Sequence, residues 1–251
     1  MKVISSISWF VASVKDVEFI REFIEAYHFN VQVGFYEKKD LALVERFIDF
    51  PTEYISSVHL PKGLNLGDYK HSNGIVSTLR STFGVDLFVV HPWADDLDKI
   101  VDFVNEAEQF CLCLEIFPSR KRRQGSPFQL LADYGRILKE DYVGLCADFS
   151  HIDDELTGYT FLKGLLPYTK MIHASSRIGR VGHVPLFKKN SVINGVNLLG
   201  QLLDVKDLKV REIVLEYNKE YHKDLTKHIF WLVEWVNRKR KRWGGADASK
   251  A

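Results

Sequence analysis

The sequence predicts an α/β fold, a single (β/α)8 barrel. Two observations predict it. Short apolar runs alternate with helical patterns eight times along 251 residues, about the length that eight such units need. Six successive runs also end in a side chain able to hold a metal, as the C-terminal mouth of such a barrel does. A doubly wound open sheet is the competing architecture, but no G-x-G-x-x-G follows the first strand.

Lys2–Ser8 reads as the first strand. Ser13 can cap a helix to about Tyr27, because Val17, Ile20, Phe23, Ile24 and Tyr27 recur on one face. Asn30–Phe35 is the second strand. Lys38–Asp49 reads as a helix turning Leu41, Val44, Phe47 and Ile48 inward. Tyr54–Leu60 is the third strand, ending at His59 before Pro61. A loop over Lys62–Asn73 leads to a short helix, Gly74–Phe83. Asp86–Val90 is the fourth strand and runs into His91-Pro92. Acids start a helix over Asp95–Gln109.

Phe110–Ile116 is the fifth strand, ending at Glu115. Pro127 suits the first turn of a helix that runs to Lys139. Tyr142–Ala147 is the sixth strand; it delivers Asp148 and, beyond it, His151. Asp153–Leu165 is a helix, and Lys170–His173 is the seventh strand. A long loop reaches about Asn194, before a short helix over Val196–Leu203. Arg211–Leu215 is the eighth strand, ending at Glu216. Leu225 to about Trp243 is the last helix, and its basic end suits the helix dipole. With no linker or composition shift, residues 1–243 read as one barrel domain and 244–251 as a disordered tail.

Composition is that of an ordinary globular chain, 46% apolar and 27% charged. A net charge of +1 favours no class of partner in bulk, although Arg120–Arg123 and Arg238–Arg242 are locally basic. The second run reads as a solvated helix end. Cys111, Cys113 and Cys146 all lie in apolar runs, which argues for a reducing compartment rather than a disulfide framework. The segment MKVISSISWF is not patterned as a signal peptide, and no run approaches the ~18 apolar residues of a membrane span. The expectation is a soluble, cytoplasmic protein with no membrane contact.

Period-two alternation says where the strand-end groups point. Cys111, Cys113 and Glu115 share one face, as do Gly144, Cys146 and Asp148, Met171 and His173, and Val214 and Glu216. Taken singly, each polar residue has an ordinary structural reading. His59 and His91 could be satisfied loop imidazoles, Glu115 and Glu216 could pair with rim cations, and Asp148 could cap a helix. Together, His59, His91, Glu115, Asp148, His173 and Glu216 fall at consecutive strand ends. A rim carrying three buried carboxylates needs compensating charge, and cations supply it most simply. This donor set suits Zn, Mn or Fe. His28, His71, His222 and His228 read as structural or solvated, and Cys113 and Cys146 as barrel filler.

The pattern resembles the xylose isomerase-like TIM barrels, which include endonuclease IV and many sugar isomerases and epimerases. The matching pieces are Val58-His-Leu-Pro-Lys-Gly-Leu-Asn-Leu-Gly67, Val89-Val-His-Pro92, Leu112-Cys-Leu-Glu115, Gly144-Leu-Cys-Ala-Asp-Phe-Ser-His151, Met171-Ile-His173 with His183 after it, and Val214-Leu-Glu216. They span most of the chain in the family's order. The resemblance implies that Glu115, Asp148, His173 and Glu216 form the shared metal set. It implies that His59 and His91 are the nuclease's additional ligands, and that His151 and His183 hold a third zinc. The chain departs from the nuclease at Val181, where the nuclease has an Asp, and at Lys62, where it has a DNA-probing aromatic.

Two functions follow from the resemblance. The first is a divalent-metal-dependent phosphoester hydrolase like endonuclease IV, with a two-metal or three-metal site. Zn is then the expected metal. Arg120, Arg122 and Arg123 would contact phosphate, and the substrate would be phosphorylated, DNA with abasic sites included. The alternative is a sugar or sugar-phosphate isomerase or epimerase on Mn or Mg. Glu115 and Glu216 would then be acid and base, and His151 and Arg177 would bind a small sugar. Against it, no Gly-x-Gly-x-Ile-Asp follows His183; the chain reads Phe187-Lys-Lys-Asn-Ser-Val-Ile-Asn194. A barrel that only binds has no specific support, since all four quartet positions are filled. The hydrolase is the reading favoured by His59 and His91, which a one-metal epimerase does not need.

Overall fold

The computed structural model describes residues 3–64, 66, 68–91, 103, 110–116, 135, 138, 142–152, 155–204 and 209–244. Its strands are β1 (Ile4–Val11), β2 (Asn30–Phe35), β3 (Ile55–His59), β4 (Leu87–Val90), β5 (Cys111–Ile116), β6 (Val143–Asp148), β7 (Thr169–Ala174), β8 (Ser176–Ile178), β9 (Val181–Val184) and β10 (Glu212–Leu215). Eight of them close a parallel barrel in the order β1-β10-β7-β6-β5-β4-β3-β2. The short β8 and β9 pair antiparallel outside it. The fold is therefore the single (β/α)8 barrel that the strand-helix alternation predicts. Among the described residues the helices are α1 (Val14–Tyr27), α2 (Tyr69–Phe83), α3 (Glu155–Leu165), α4 (Gly195–Leu203) and α5 (His222–Gly244).

Alternation along each strand builds two cores. Leu87, Val89, Cys111, Cys113, Cys146, Met171 and Val214 fill the barrel interior. The intervening residues, such as Phe88, Leu112, Leu114, Ile172 and Ile213, belong to the larger cluster shared with the helices, which include Ile20, Phe23, Leu79, Leu199 and Leu232. The three cysteines are free and buried. Among the described residues no helix is long and apolar enough to cross a membrane.

Local chemistry sets the element ends. Ser13 caps α1 and His28 closes it at φ 54. Asp68 caps α2 by accepting from His71 N, so that helix starts five residues before the expected Gly74. Lys38–Phe47 is a 3-10 segment, not a helix reaching Asp49. Its tighter winding keeps Val44 and Phe47 buried but leaves Ile48, expected to face inward, 74% exposed. The stretch expected to be one long loop after His173 holds the β8–β9 hairpin. The last helix starts at His222 and includes Gly244. Apart from residues 103, 135 and 138, the helices expected over 95–109 and 127–139 lie outside the described residues, as do Arg120, Arg122, Arg123 and the tail 245–251.

Candidate metal centre

Six of the eight barrel strands deliver a side chain at or near their C-terminal ends to one rim. His59 ends β3, His91 follows β4, Glu115 lies in β5, Asp148 ends β6, His173 lies in β7 and Glu216 follows β10. The register aligns them: His59 pairs with Val89, Glu115 with Cys146, and Asp148 with His173. His151 closes the 3-10 turn Phe149–His151, and His183 sits on β9. All eight residues named from the sequence as metal candidates are at this mouth.

Glu115 is the hub. Its Oε2 lies 2.8 Å from His59 Nε2 and 3.4 Å from His91 Nε2, and its Oε1 lies 3.6 Å from His151 Nε2. Asp148 Oδ2 lies 3.1 Å from His151 Nε2 and 3.9 Å from His183 Nε2. Glu216 reaches His173 Nδ1 at 2.6 Å and His183 Nδ1 at 3.7 Å. His59 Nδ1 faces the Leu60 carbonyl oxygen at 3.1 Å, which makes that nitrogen the donor and leaves Nε2 as the lone-pair end.

These contacts polarise the site in a consistent sense. Burial pushes the Glu115 carboxyl up, but His91, His151 and His59 outweigh it and hold the group well below the usual carboxylate range. Asp148 is likewise lowered against its burial, by His151 and His183, and Glu216 by His173 and His183. Burial would lower His151, but Asp148 and Glu115 push it up to about 10. His173 is raised well above its ordinary value: Cys146 and Glu216 outweigh its burial. His91 is lowered by burial, with Glu115 opposing.

The residues fit a metal. Three groups place one ligand atom per residue within 4.8 Å of one another: His59–Glu115–His173, Asp148–His151–His183 and Asp148–His173–Glu216. Both ring nitrogens of His173, Nδ1 of His183 and Oε2 of Glu216 are buried without a hydrogen-bond partner. The 2.6 Å approach of His173 to Glu216 is thus short but misdirected for a hydrogen bond. Buried donors and acceptors that converge without pairing are arranged as ligands of a common ion.

Two solved structures share this architecture. One is a D-tagatose 3-epimerase-like protein, 17% identical, with a TM-score of 0.57 over 93% of this chain and 90% of that one. The other is a family 2 AP endonuclease from Brucella melitensis, 12% identical, with a TM-score of 0.56 over 86% of this chain and 93% of that one. This chain has their fold. At these identities the likeness is one of fold. No protein-family model and no curated protein matches the sequence.

The structure adds residues that the sequence did not single out. Ser150 stands between Asp148 and His183, with its hydroxyl 3.0 Å from Asp148 Oδ2 and 2.9 Å from His183 Nε2. A Ser two residues after a strand-end Asp was the available signal, since Asp148 Oδ1 also accepts from Ser150 N. Phe10 and Tyr36 stack at 4.4 Å, and Phe10 tilts against His59 at 5.2 Å, forming an aromatic wall. Gly34 makes room for that wall, because a Cβ there would meet the Phe10 ring at 2.6 Å. Arg177 donates to the Ile152 and Gly179 carbonyls, tying the hairpin to the turn that carries His151. Val181 is half exposed, and the Asp148–His151–His183 group assembles without a ligand at that position.

Proposed function

We propose that the protein is a divalent-metal-dependent phosphoester hydrolase working from a two-metal site, beside which Asp148, His151 and His183 form a third group of candidate ligands. The observation that carries this reading is the environment of Glu115. One carboxylate touches His59, His91 and His151; His59 and His151 fall in different ligand groups and His91 lies beside the first, so Glu115 could serve two metal positions. A one-metal site on Glu115, Asp148, His173 and Glu216 would not use His59 and His91 as ligands. Zn is the metal this donor set favours.

The ligands divide naturally. His59 and Glu115, with His91 beside them, would serve one position and Asp148, His173 and Glu216 the other, His173 lying within reach of both. The chemistry such ions supply is water activation and neutralisation of phosphate charge. Glu115 and Glu216 would be ligands themselves, and their contacts would hold His59, His91, His173 and His183 toward the site. Arg120, Arg122 and Arg123, which follow β5 in sequence, would hold the phosphate. The substrate class is a phosphodiester, and the AP endonuclease neighbour makes abasic DNA the first to try.

The test is metal content per chain, followed by incision of an abasic-site duplex and hydrolysis of bis(p-nitrophenyl) phosphate with zinc. Two or more zinc ions with hydrolysis are expected. The second reading is a sugar isomerase or epimerase, favoured by the D-tagatose 3-epimerase-like neighbour and by the quartet itself. There Glu115 and Glu216 would remove and return a proton next to a carbonyl. One manganese per chain, with solvent deuterium entering a ketose and no phosphodiester cleaved, would replace the first reading with the second.

A further inference from the structure

We infer that Ser150 selects which ring nitrogen of His183 is offered as a ligand, and so which carboxylate His183 serves. A hydroxyl has one hydrogen. At 3.0 Å from the Asp148 carboxylate, which only accepts, the Ser150 hydroxyl spends that hydrogen on Oδ2. Its oxygen is then an acceptor toward His183 Nε2, 2.9 Å away, so Nε2 carries a proton. That leaves the lone pair on Nδ1. This atom is buried without a hydrogen-bond partner and lies 3.7 Å from Glu216 Oε1. With Ser150 in place, His183 is turned to the Glu216 side. Without it, Nε2 is free to join Asp148 and His151.

The backbone holds His183 to this choice. Its φ is 52, in the left-handed region that few residues with a Cβ occupy. Asn218 fixes the segment from both sides: its N donates to the His183 carbonyl at 2.8 Å and its Nδ2 to the Gly182 carbonyl at 3.0 Å. Gly182 lets the hairpin approach, because a Cβ there would lie 2.8 Å from Ser150 Cβ. Ser150 is thus a positioning residue acting through His183.

The ion count at the mouth depends on this choice, so the inference deepens the metal-centre reading; the tautomer itself is measurable without metal. Long-range proton–nitrogen correlation on the chelator-treated, nitrogen-15-labelled protein at alkaline pH reads it directly, with His183→Gln identifying the resonances. The expected wild-type pattern is Nε2–H, and Ser150→Ala should shift it toward Nδ1–H. Gly182→Ala keeps the hydroxyl but pushes it away and should give the same shift. An Nδ1–H pattern in the wild type, or no change in Ser150→Ala, overturns the inference. In a zinc titration, Ser150→Ala should gain an equivalent or tighten its weakest site about tenfold. If neither protein binds zinc, the metal centre fails while the tautomer measurement still decides the role of Ser150.

Discussion

Glu212 and Glu216 lie four residues apart on the same inner face, Glu212 opening β10 and Glu216 just past its end; Glu212 is buried and the Glu216 side chain only 12% exposed, yet they behave in opposite ways. Glu216 at the mouth faces His173 and His183, which outweigh the cost of burial and hold its carboxyl low. Glu212 at the floor is met mainly by hydroxyls: those of Ser6 and Ser56 meet its Oε1, Ser57 adds a third, and His173 acts on it only as the smallest of the lowering influences. Burial wins there and its carboxyl is raised. The pair shows that depth does not make a ligand. Hydroxyl dipoles soften a buried charge, but imidazoles stabilise it, and a cation can take their place.

The largest expected effect lies at the mouth. Asp148 belongs to two of the three ligand groups. Asp148→Ala should weaken metal affinity by more than about a hundredfold and abolish turnover, since on the proposed reading it would remove a direct ligand rather than a supporting contact. Metal analysis after dialysis checks this, and full retention of both metal and activity would dissolve the site.

Chelation comes next. An ion held at a thousandfold over its Kd stabilises the fold by about 4 kcal/mol, so its removal should lower Tm by about 10 °C in a chain of this size. Glu212→Gln should show the same drop, because the floor lies outside the ligand set. Equal melting with and without chelator would contradict the difference drawn between the two ends.

The floor is probed by Glu212→Gln itself. The raised carboxyl stabilises the fold below its unfolded value, and that contribution is lost as pH rises through the folded one. Glu216 runs the other way in the metal-free protein: its contribution is present above the unfolded value and lost as pH falls. A glutamine at 212 keeps an acceptor for the serines and removes the charge that burial disfavours. Urea unfolding at pH 8 should therefore find Glu212→Gln about 1–3 kcal/mol more stable than wild type, with the gap closing near pH 4. Parallel curves would mean that Glu212 is compensated after all. The smallest effect is that of Ser56→Ala, about 1 kcal/mol less stable, with the Glu212 transition moved further up in pH.

The barrel and its rim were legible because both rest on a period of two. Alternation placed Glu115 opposite Leu114 and His173 opposite Ile172, and the structure puts these pairs on opposite faces. Where other periods rule, the reading slipped. Leu41, Val44 and Phe47 recur every three residues, the spacing of the 3-10 segment they form, and Ile48 breaks it. The β8–β9 hairpin was hidden in a polar stretch, although Gly179 at φ 54 between Ile178 and Val181 is what its turn needs. Glu212 shares the face of Val214 and Glu216, but a charged residue opening a strand reads as solvated. Ser150 was unreadable for a different reason: its role depends on His183, which a later hairpin brings back to it.

The contact between Ser6 and Glu212 spans 206 residues of chain. It lies on the seam where β1 pairs with β10, with Ile4 in register with Glu212. A parallel barrel cannot close on local contacts, and the loop entropy of this seam must be met before its pairing rewards it. During synthesis β1 therefore waits with one edge unpaired until almost the whole chain has emerged. The serines of β1 and β3 that soften the charge of Glu212 also make that waiting surface less sticky.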